Sequence, residues 1–567
     1  MIKYKFFVFI AFLILFSGNG NRKYDWVEET LNSMTLREKI AQMVISYSDG
    51  YEIPENSSEY LRLKNLIESE KIGGIIFFKG NSLQQAELTN KLQTLSDIPL
   101  LISADYERGT KMRLNDGSLF PNNMAIGASR RYDLAYKMGL MIAEECRALG
   151  VHQNYAPVMD INNNPDNPII NVRSFGEEPE LVSMMGLNMI KGLQDGGVIA
   201  TVKHFPGHGD TDIDSHNDLP VLNFSMERLR NLELLPFKTA IDSGVKSVMG
   251  AHLSFPELEK RNYVPASLSN KIMRDILINE MGFKGLVITD ALNMAGVTKH
   301  LTTEEVALLA VEAGVDLILM PQGEKVTIDA ILNAVKEGVI SEERINISAK
   351  KILEAKKWLK LNENKLVDLE NVKNVINSNK EKELSREIAD ASVTLVKNND
   401  DILPLDENNI KYTIVSVNNT QESAGEEYFL ELMKSGNPAE VNKIIYIKAE
   451  QDISNVLNEI QNDELCIIPI YSRVRIKTGT VGIPLSQIEL INNLINRGNK
   501  VIIISFGNPY LLKAFESTDG YICAYGDSES SIYAAYKGIF GKINFYGKLP
   551  VTINETFRFG YGLSYKK

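Results

Sequence analysis

Within Lys203-His-Phe-Pro-Gly-His-Gly-Asp-Thr-Asp-Ile-Asp-Ser-His216 stand three of the six histidines of this 567-residue chain, together with three aspartates. An apolar core does not tolerate that density of ionisable groups without partners, so the segment reads as a polar loop that moves protons or binds a charged or polar ligand. Metal binding fits poorly. His204 and His208 are four apart, but Pro206 and Gly207 between them oppose the helix that would bring both rings to one face. Asp210, Asp212 and Asp214 begin like a calcium loop, yet Ser215 takes the place of the turn glycine and Val221 that of the bidentate glutamate. Acid–base chemistry fits better: Asp214 and His216 are two apart, so in an extended segment the carboxylate can hold and polarise the imidazole. No metal and no cofactor is expected.

Such a proton carrier needs a nucleophile. Asp290 closes the apolar run Gly285-Leu-Val-Ile-Thr289, and an aspartate nucleophile with a separate acid/base is the arrangement of retaining glycosidases. A Gly-x-Ser-x-Gly elbow is missing. Cys146, Cys466 and Cys523, odd in number and far apart, make neither a disulfide framework nor a zinc site and read as small buried hydrophobes.

The elements that would carry these residues follow from the apolar pattern. Leu31, Met34, Leu36, Ile40 and Met43 recur at helical spacing, with Thr35 and Glu38 placed as a capping box. Short apolar runs then alternate with helical segments: 74–78, 99–103, 154–158, 199–202, 247–249, 285–289 and 316–320. Alternation of this kind predicts parallel strands with helical crossovers. Asp105, Asp160, Lys203 with His204, His252 and Asp290 each fall at or just past the C-terminal end of a different run. A (β/α)₈ barrel brings all those ends to one face, so an α/β fold with an N-terminal TIM-like barrel is expected over 24–361. The charged stretch 362–385 reads as a linker, and 386–567 as a smaller α/β sandwich domain built on runs at 392–396, 412–416, 465–470 and 501–505.

Residues 1–20 read as a secretory signal: Lys3 and Lys5, an apolar run from Phe6 to Phe16, then Ser17-Gly-Asn-Gly20. Asn19 stands where a lipoprotein signal would place its cysteine, so a periplasmic or secreted protein is expected, with membrane contact only if the segment stays uncleaved. A formal net charge of -12 opposes nucleic acid as a partner and leaves a small neutral substrate.

Lys203-His-Phe-Pro-Gly-His-Gly-Asp-Thr211 with Asp214-Ser-His216 resembles the signature of glycoside hydrolase family 3, in its β-N-acetylglucosaminidase branch. Ala156-Pro-Val-Met-Asp160, Arg173-Ser-Phe-Gly-Glu-Glu-Pro179, Pro265-Ala-Ser-Leu-Ser269 and Ile288-Thr-Asp290 are similar to its middle and nucleophile regions. Gly547-Lys-Leu-Pro-Val551 and Phe559-Gly-Tyr-Gly-Leu-Ser-Tyr565 resemble its second domain. The resemblance implies Asp290 as nucleophile, His216 held by Asp214 as acid and then base, and saccharide contacts from Asp105, Arg173, Lys203 and His204. It also implies release of β-linked N-acetylglucosamine from non-reducing ends, with peptidoglycan fragments as substrate. Ala291 replaces a second aspartate that family members often carry after the nucleophile. Phosphorolysis by the same residues, β-glucoside cleavage and a non-catalytic carbohydrate-binding role are the alternatives. If the second domain touches substrate, Tyr471-Ser-Arg-Val-Arg475 is the expected place.

Overall fold

The computed structural model describes residues 25–212, 218–406, 410–418, 424–435, 440–447, 453–472 and 482–565. The signal expected at 1–20 lies outside them. No helix among the described residues is long and apolar enough to cross a membrane.

The capping box forms as expected, with Thr35 accepting from the Glu38 amide while Glu38 reaches back to Thr35. The predicted single helix is instead two, Trp26–Ser33 and Leu36–Ala41, and the chain then enters a strand. That strand, β1 (Val44–Gly50), was hidden behind the helical spacing of Ile40 and Met43. It is followed by β2 (Gly74–Gly80), β3 (Leu101–Ala104), β4 (Gln153–Asn154), β5 (Ile199–Phe205), β6 (Ser247–Gly250), β7 (Leu286–Thr289) and β8 (Ile318–Leu319). Neighbours pair in parallel in the order β7-β6-β5-β4-β3-β2-β1-β8. A parallel bridge between Ile288 and Leu317 brings β7 to β8 and closes the circle. The run at 154–158 contributes only its first residue to β4 before the chain turns out of the sheet. Helices such as Tyr132–Leu149 and Pro179–Asp195 pack outside, and nearly every strand residue is buried, so the barrel is filled with side chains as its all-parallel ladder requires.

The stretch expected as a linker is largely helical. Leu369–Val375 packs on barrel helices, and Asn379–Ser392 bridges both halves of the molecule through Leu384, Ser385, Ile388, Ala389 and Ser392 on its buried face. Lys380, Lys382, Glu383 and Glu387 occupy the outer face of that helix and produced the linker signature, while Glu381 is buried.

The second sheet has the order β11-β10-β12-β13-β14-β9, from β9 (Thr394–Asn398), β10 (Lys411–Asn418), β11 (Glu440–Ile447), β12 (Cys466–Tyr471), β13 (Val501–Ser505) and β14 (Gly520–Cys523). All pairs are parallel except β14 with β9, so the run at 392–396 becomes an antiparallel edge. Side chains alternate between two cores: Val501 and Ile503 face one, Ile502 and Ile504 the other. The first of these cores also takes Met124, Ala125 and Ala128 from the barrel helix Asn123–Ser129. Asn122 Nδ2 donates to the Tyr525 carbonyl at 2.7 Å, Asn162 Nδ2 to Tyr510 at 3.0 Å, and the Glu177 carboxylate accepts from the Thr552 amide and hydroxyl. These ties set the second domain against the C-terminal face of the barrel.

Candidate active site

The C-terminal ends of β3, β5, β6 and β7 open into a cavity of about 450 Å³. Its floor and walls include Asp105, Glu107, Arg113, Arg173, Lys203, His204, His208 and Asp290, and its rim includes Ser472, Phe506 and Asp527 of the second domain. Strand-end placement therefore brings Asp105, Lys203, His204 and Asp290 together, with Arg173 joining from the connection after β4. Asp214 and His216 lie outside the described residues.

Lys203, almost fully buried, sits between two carboxylates at 2.9 Å from Asp105 Oδ1 and 2.9 Å from Glu107 Oε1. Asp105 Oδ2 accepts from Arg113 Nη2 at 2.9 Å. Glu107 takes both arms of Arg173, at 2.6 and 3.0 Å, in the forked geometry that makes guanidinium–carboxylate pairs strong. Burial pushes both carboxyls toward the neutral form. The opposing charges outweigh it, holding Asp105 below and Glu107 well below the usual range, while Lys203 is raised against its own burial by the same two anions. Glu107 and Arg113 escaped the sequence reading as site residues. Glu107 showed there only as part of the Asp-x-Glu motif that the family resemblance covers, and Arg113 only by its nearness to Asp105.

His204 is fixed by Asp160, a fully buried carboxylate that bonds the ring Nδ1 at 2.7 Å and also accepts from the backbone amides of His204 and His208. With Nδ1 so engaged, Nε2 is the ring nitrogen left for the cavity side. His208 bonds Thr211 at 3.1 Å, and burial lowers its pKa to about 4, so it is neutral at physiological pH. The segment turns as its glycines suggested: Gly207 has φ +136°, and a Cβ on Gly209 would lie 1.6 Å from the Ile161 carbonyl oxygen.

Asp290 is arranged differently from the other carboxylates. Its amide donates to the Gly250 carbonyl at 3.1 Å, and its Oδ1 accepts from the Ala291 amide at 2.7 Å. His252 Nε2 meets the Ala291 carbonyl at 3.1 Å while its Nδ1 meets Ser267 at 2.8 Å, so the residue whose amide serves Asp290 is itself tethered through its carbonyl. Among the described residues no lysine or arginine forms an ion pair with Asp290. Burial raises its pKa, but the electrostatic influence of His252 and His204, the Ala291 amide and Lys203 prevail and bring it to about 2.

A parallel barrel that presents an ionised carboxylate, bonded by a backbone amide and paired with no lysine or arginine among the described residues, beside carboxylate–cation clusters suited to hydroxyl groups, has the layout of enzymes acting on glycosidic bonds. The pattern of the Glycosyl hydrolase family 3 N terminal domain matches residues 35–355, and that of the family 3 C-terminal domain matches 393–565. The chain belongs to glycoside hydrolase family 3. It is 34% identical over 378 residues to β-hexosaminidase A of Pseudoalteromonas piscicida, across 61% of this chain and 62% of that protein. A family 3 β-N-acetylglucosaminidase from Paenibacillus sp. str. FPU-7 superposes with a TM-score of 0.79 at 33% identity, over 92% of this chain and 99% of that one. The β-glucoside phosphorylase BglX superposes with a TM-score of 0.83 at 26% identity, over 93% and 96%.

Of the second-domain segment expected at the substrate rim, Ser472 lines the cavity, while Tyr471 is buried and stacks on Phe506 with ring centroids 5.1 Å apart. Arg473 to Arg475 lie outside the described residues.

Proposed function

We propose that this chain is a retaining exo-β-N-acetylglucosaminidase. The observation that carries the reading is Asp290: an ionised carboxylate at a strand end, lining a sugar-sized cavity and paired with no lysine or arginine among the described residues. Asp290 attacks the anomeric carbon and forms a glycosyl ester while the leaving-group oxygen takes a proton from His216, held by Asp214. His216 then removes a proton from water, which attacks the ester and regenerates Asp290. Asp105, Arg173, Lys203 and His204 bind the sugar hydroxyls, with Glu107 holding Arg173 and Lys203 in place and Arg113 holding Asp105.

The proposed substrates are peptidoglycan fragments met in the periplasm or outside the cell, on the strength of the amino-terminal segment, while the names borne by relatives support the β-N-acetylglucosaminide linkage alone. The test compares aryl N-acetyl-β-glucosaminide with aryl β-glucoside; faster cleavage of the glucoside would sink the sugar assignment. Trapping with a 5-fluoro glycosyl donor and mapping the label tests the nucleophile, and label on any residue but Asp290 would overturn it. A second reading, phosphorolysis, is favoured by the likeness to a β-glucoside phosphorylase. Sugar 1-phosphate among the products in phosphate buffer would establish it.

A further inference from the structure

On the catalytic face, but outside the cavity, two rings lie against each other. Tyr263, in the connection after β6, stacks on His300, in the connection after β7, with centroids 4.1 Å apart and planes 13° from parallel. Tyr263 is 55% exposed and holds φ +62°, a left-handed conformation that a bulky side chain rarely adopts. Nothing in the core requires it there, and an outlier of this kind on a catalytic face points to use.

The surroundings place the pair relative to the reacting centre. Ala291, Asn293 and Met294 line the cavity, and the short helix Ala295–Thr298 then carries the chain to His300. His300 follows two residues after that helix, six positions along the chain from Met294 at the cavity wall. Asp218, in the connection after β5, approaches Lys299 Nζ at 3.4 Å and His300 Nε2 at 3.9 Å. The same connection is tied to the one after β6 by the Leu222 amide donating to the Ser254 carbonyl at 2.8 Å. Three successive loops of the catalytic face thus converge on one exposed aromatic surface flanked by a carboxylate and an ammonium.

We propose that Tyr263, backed by His300, is a stacking platform for a sugar ring of the leaving group, one ring or more beyond the bond that is cut. A pyranose presents a face of C–H groups that suits the negative face of an aromatic ring, and its equatorial hydroxyls suit Asp218 and Lys299 at the margin. The ligand class is a β-linked oligosaccharide, in place of a monosaccharide with a small aglycone. The inference rests on the glycosidase reading above but not on which sugar is cleaved.

The experiment measures kcat/KM on tri-N-acetylchitotriose and on methyl N-acetyl-β-glucosaminide, whose leaving group has no ring. In Tyr263→Ala the ratio of the two falls about five- to tenfold, through KM on the trisaccharide, while Tyr263→Phe keeps it. Tyr263→Gly removes the ring and suits the left-handed backbone, so it loses the ratio in a fold that is no less stable. Equal losses on both substrates, or no change in the ratio, overturn the platform. If the wild type prefers glucosides, the same ratio is taken with cellotriose and methyl β-glucoside: the preferred series judges the sugar assignment, and the ratio alone judges the platform.

Discussion

Lys203→Met removes the cation that sits 2.9 Å from both Asp105 and Glu107, with a side chain only 4% exposed. Taking one partner from a buried ion pair costs about 3–5 kcal/mol, because the remaining charge stays desolvated. Here Asp105 keeps Arg113 and Glu107 keeps both arms of Arg173, so the lower end, about 3 kcal/mol, applies. With a urea slope of roughly 3 kcal/mol per molar, the unfolding midpoint drops by about 1 M. The pH dependence is more diagnostic. In the wild type the two folded-state pKa values lie below their unfolded values, so their contribution is present above the ordinary carboxylate range and is lost as pH falls through the depressed values. In the variant burial meets less opposition and both values rise. Protons then bind the folded variant at higher pH and relieve its excess negative charge, and the gap to the wild type narrows as pH falls. Urea unfolding of both proteins near pH 7.5 and near pH 4.5 measures this. A gap of the same size at both pH values would refute the electrostatic account and leave only lost packing.

Asp290→Ala should lower kcat by about 10³-fold or more, the scale of loss when a catalytic group is removed, with azide restoring turnover as a glycosyl azide of inverted configuration. Because Asp290 has a pKa of about 2, it contributes no acid limb to kcat/KM above about pH 3; the acid/base role proposed for His216 predicts an alkaline limb that disappears in His216→Ala. Lys356, fully buried with Gln42 Oε1 at 2.5 Å, is depressed from 10.5 to about 7. The unfolded chain binds the extra proton between those values, so stability rises with pH from about 7 to 10.5, and Lys356→Met should be stabler at neutral pH by about 2–4 kcal/mol, after the lost Gln42 bond is counted. Chemical unfolding at pH 7 and pH 10 checks this, with the gain shrinking at the higher value. Glu177→Ala removes two hydrogen bonds to Thr552 across the domain boundary and should cost about 2 kcal/mol, read as an earlier transition of the second domain in calorimetry.

What was legible in the sequence shares one property: it was local. Strand-end positions put Asp105, Lys203, His204 and Asp290 at one cavity because a parallel barrel converts chain order into a common face, and the apolar runs were enough to read that order. Glycine and proline spacing was enough to reject a helix at 204–208. The linker reading did not reveal the helix Asn379–Ser392, where exposed Lys380, Lys382, Glu383, Arg386 and Glu387 mask six buried positions that only a tertiary partner explains. β1 failed because Ile40 and Met43 continue a helical period into a strand. β11 and β14 failed for want of length or contrast, β14 being four residues that begin with glycine. The Glu107–Arg173 and Asp105–Arg113 pairs were out of reach, since spacing does not reveal which cation neutralises which anion across a barrel mouth.

That hidden pairing is what separates the roles of the carboxylates. In a partly dehydrated cavity an unneutralised carboxylate takes up a proton, so acids that must accept hydroxyl hydrogen bonds need a cation beside them, as Asp105 and Glu107 have. A nucleophile has the opposite need: an ion pair would keep it charged but would also occupy the lone pair that must reach carbon. Asp290 meets both demands through the Ala291 amide on Oδ1 and the field of His252 and His204, groups that favour the anion without covering it.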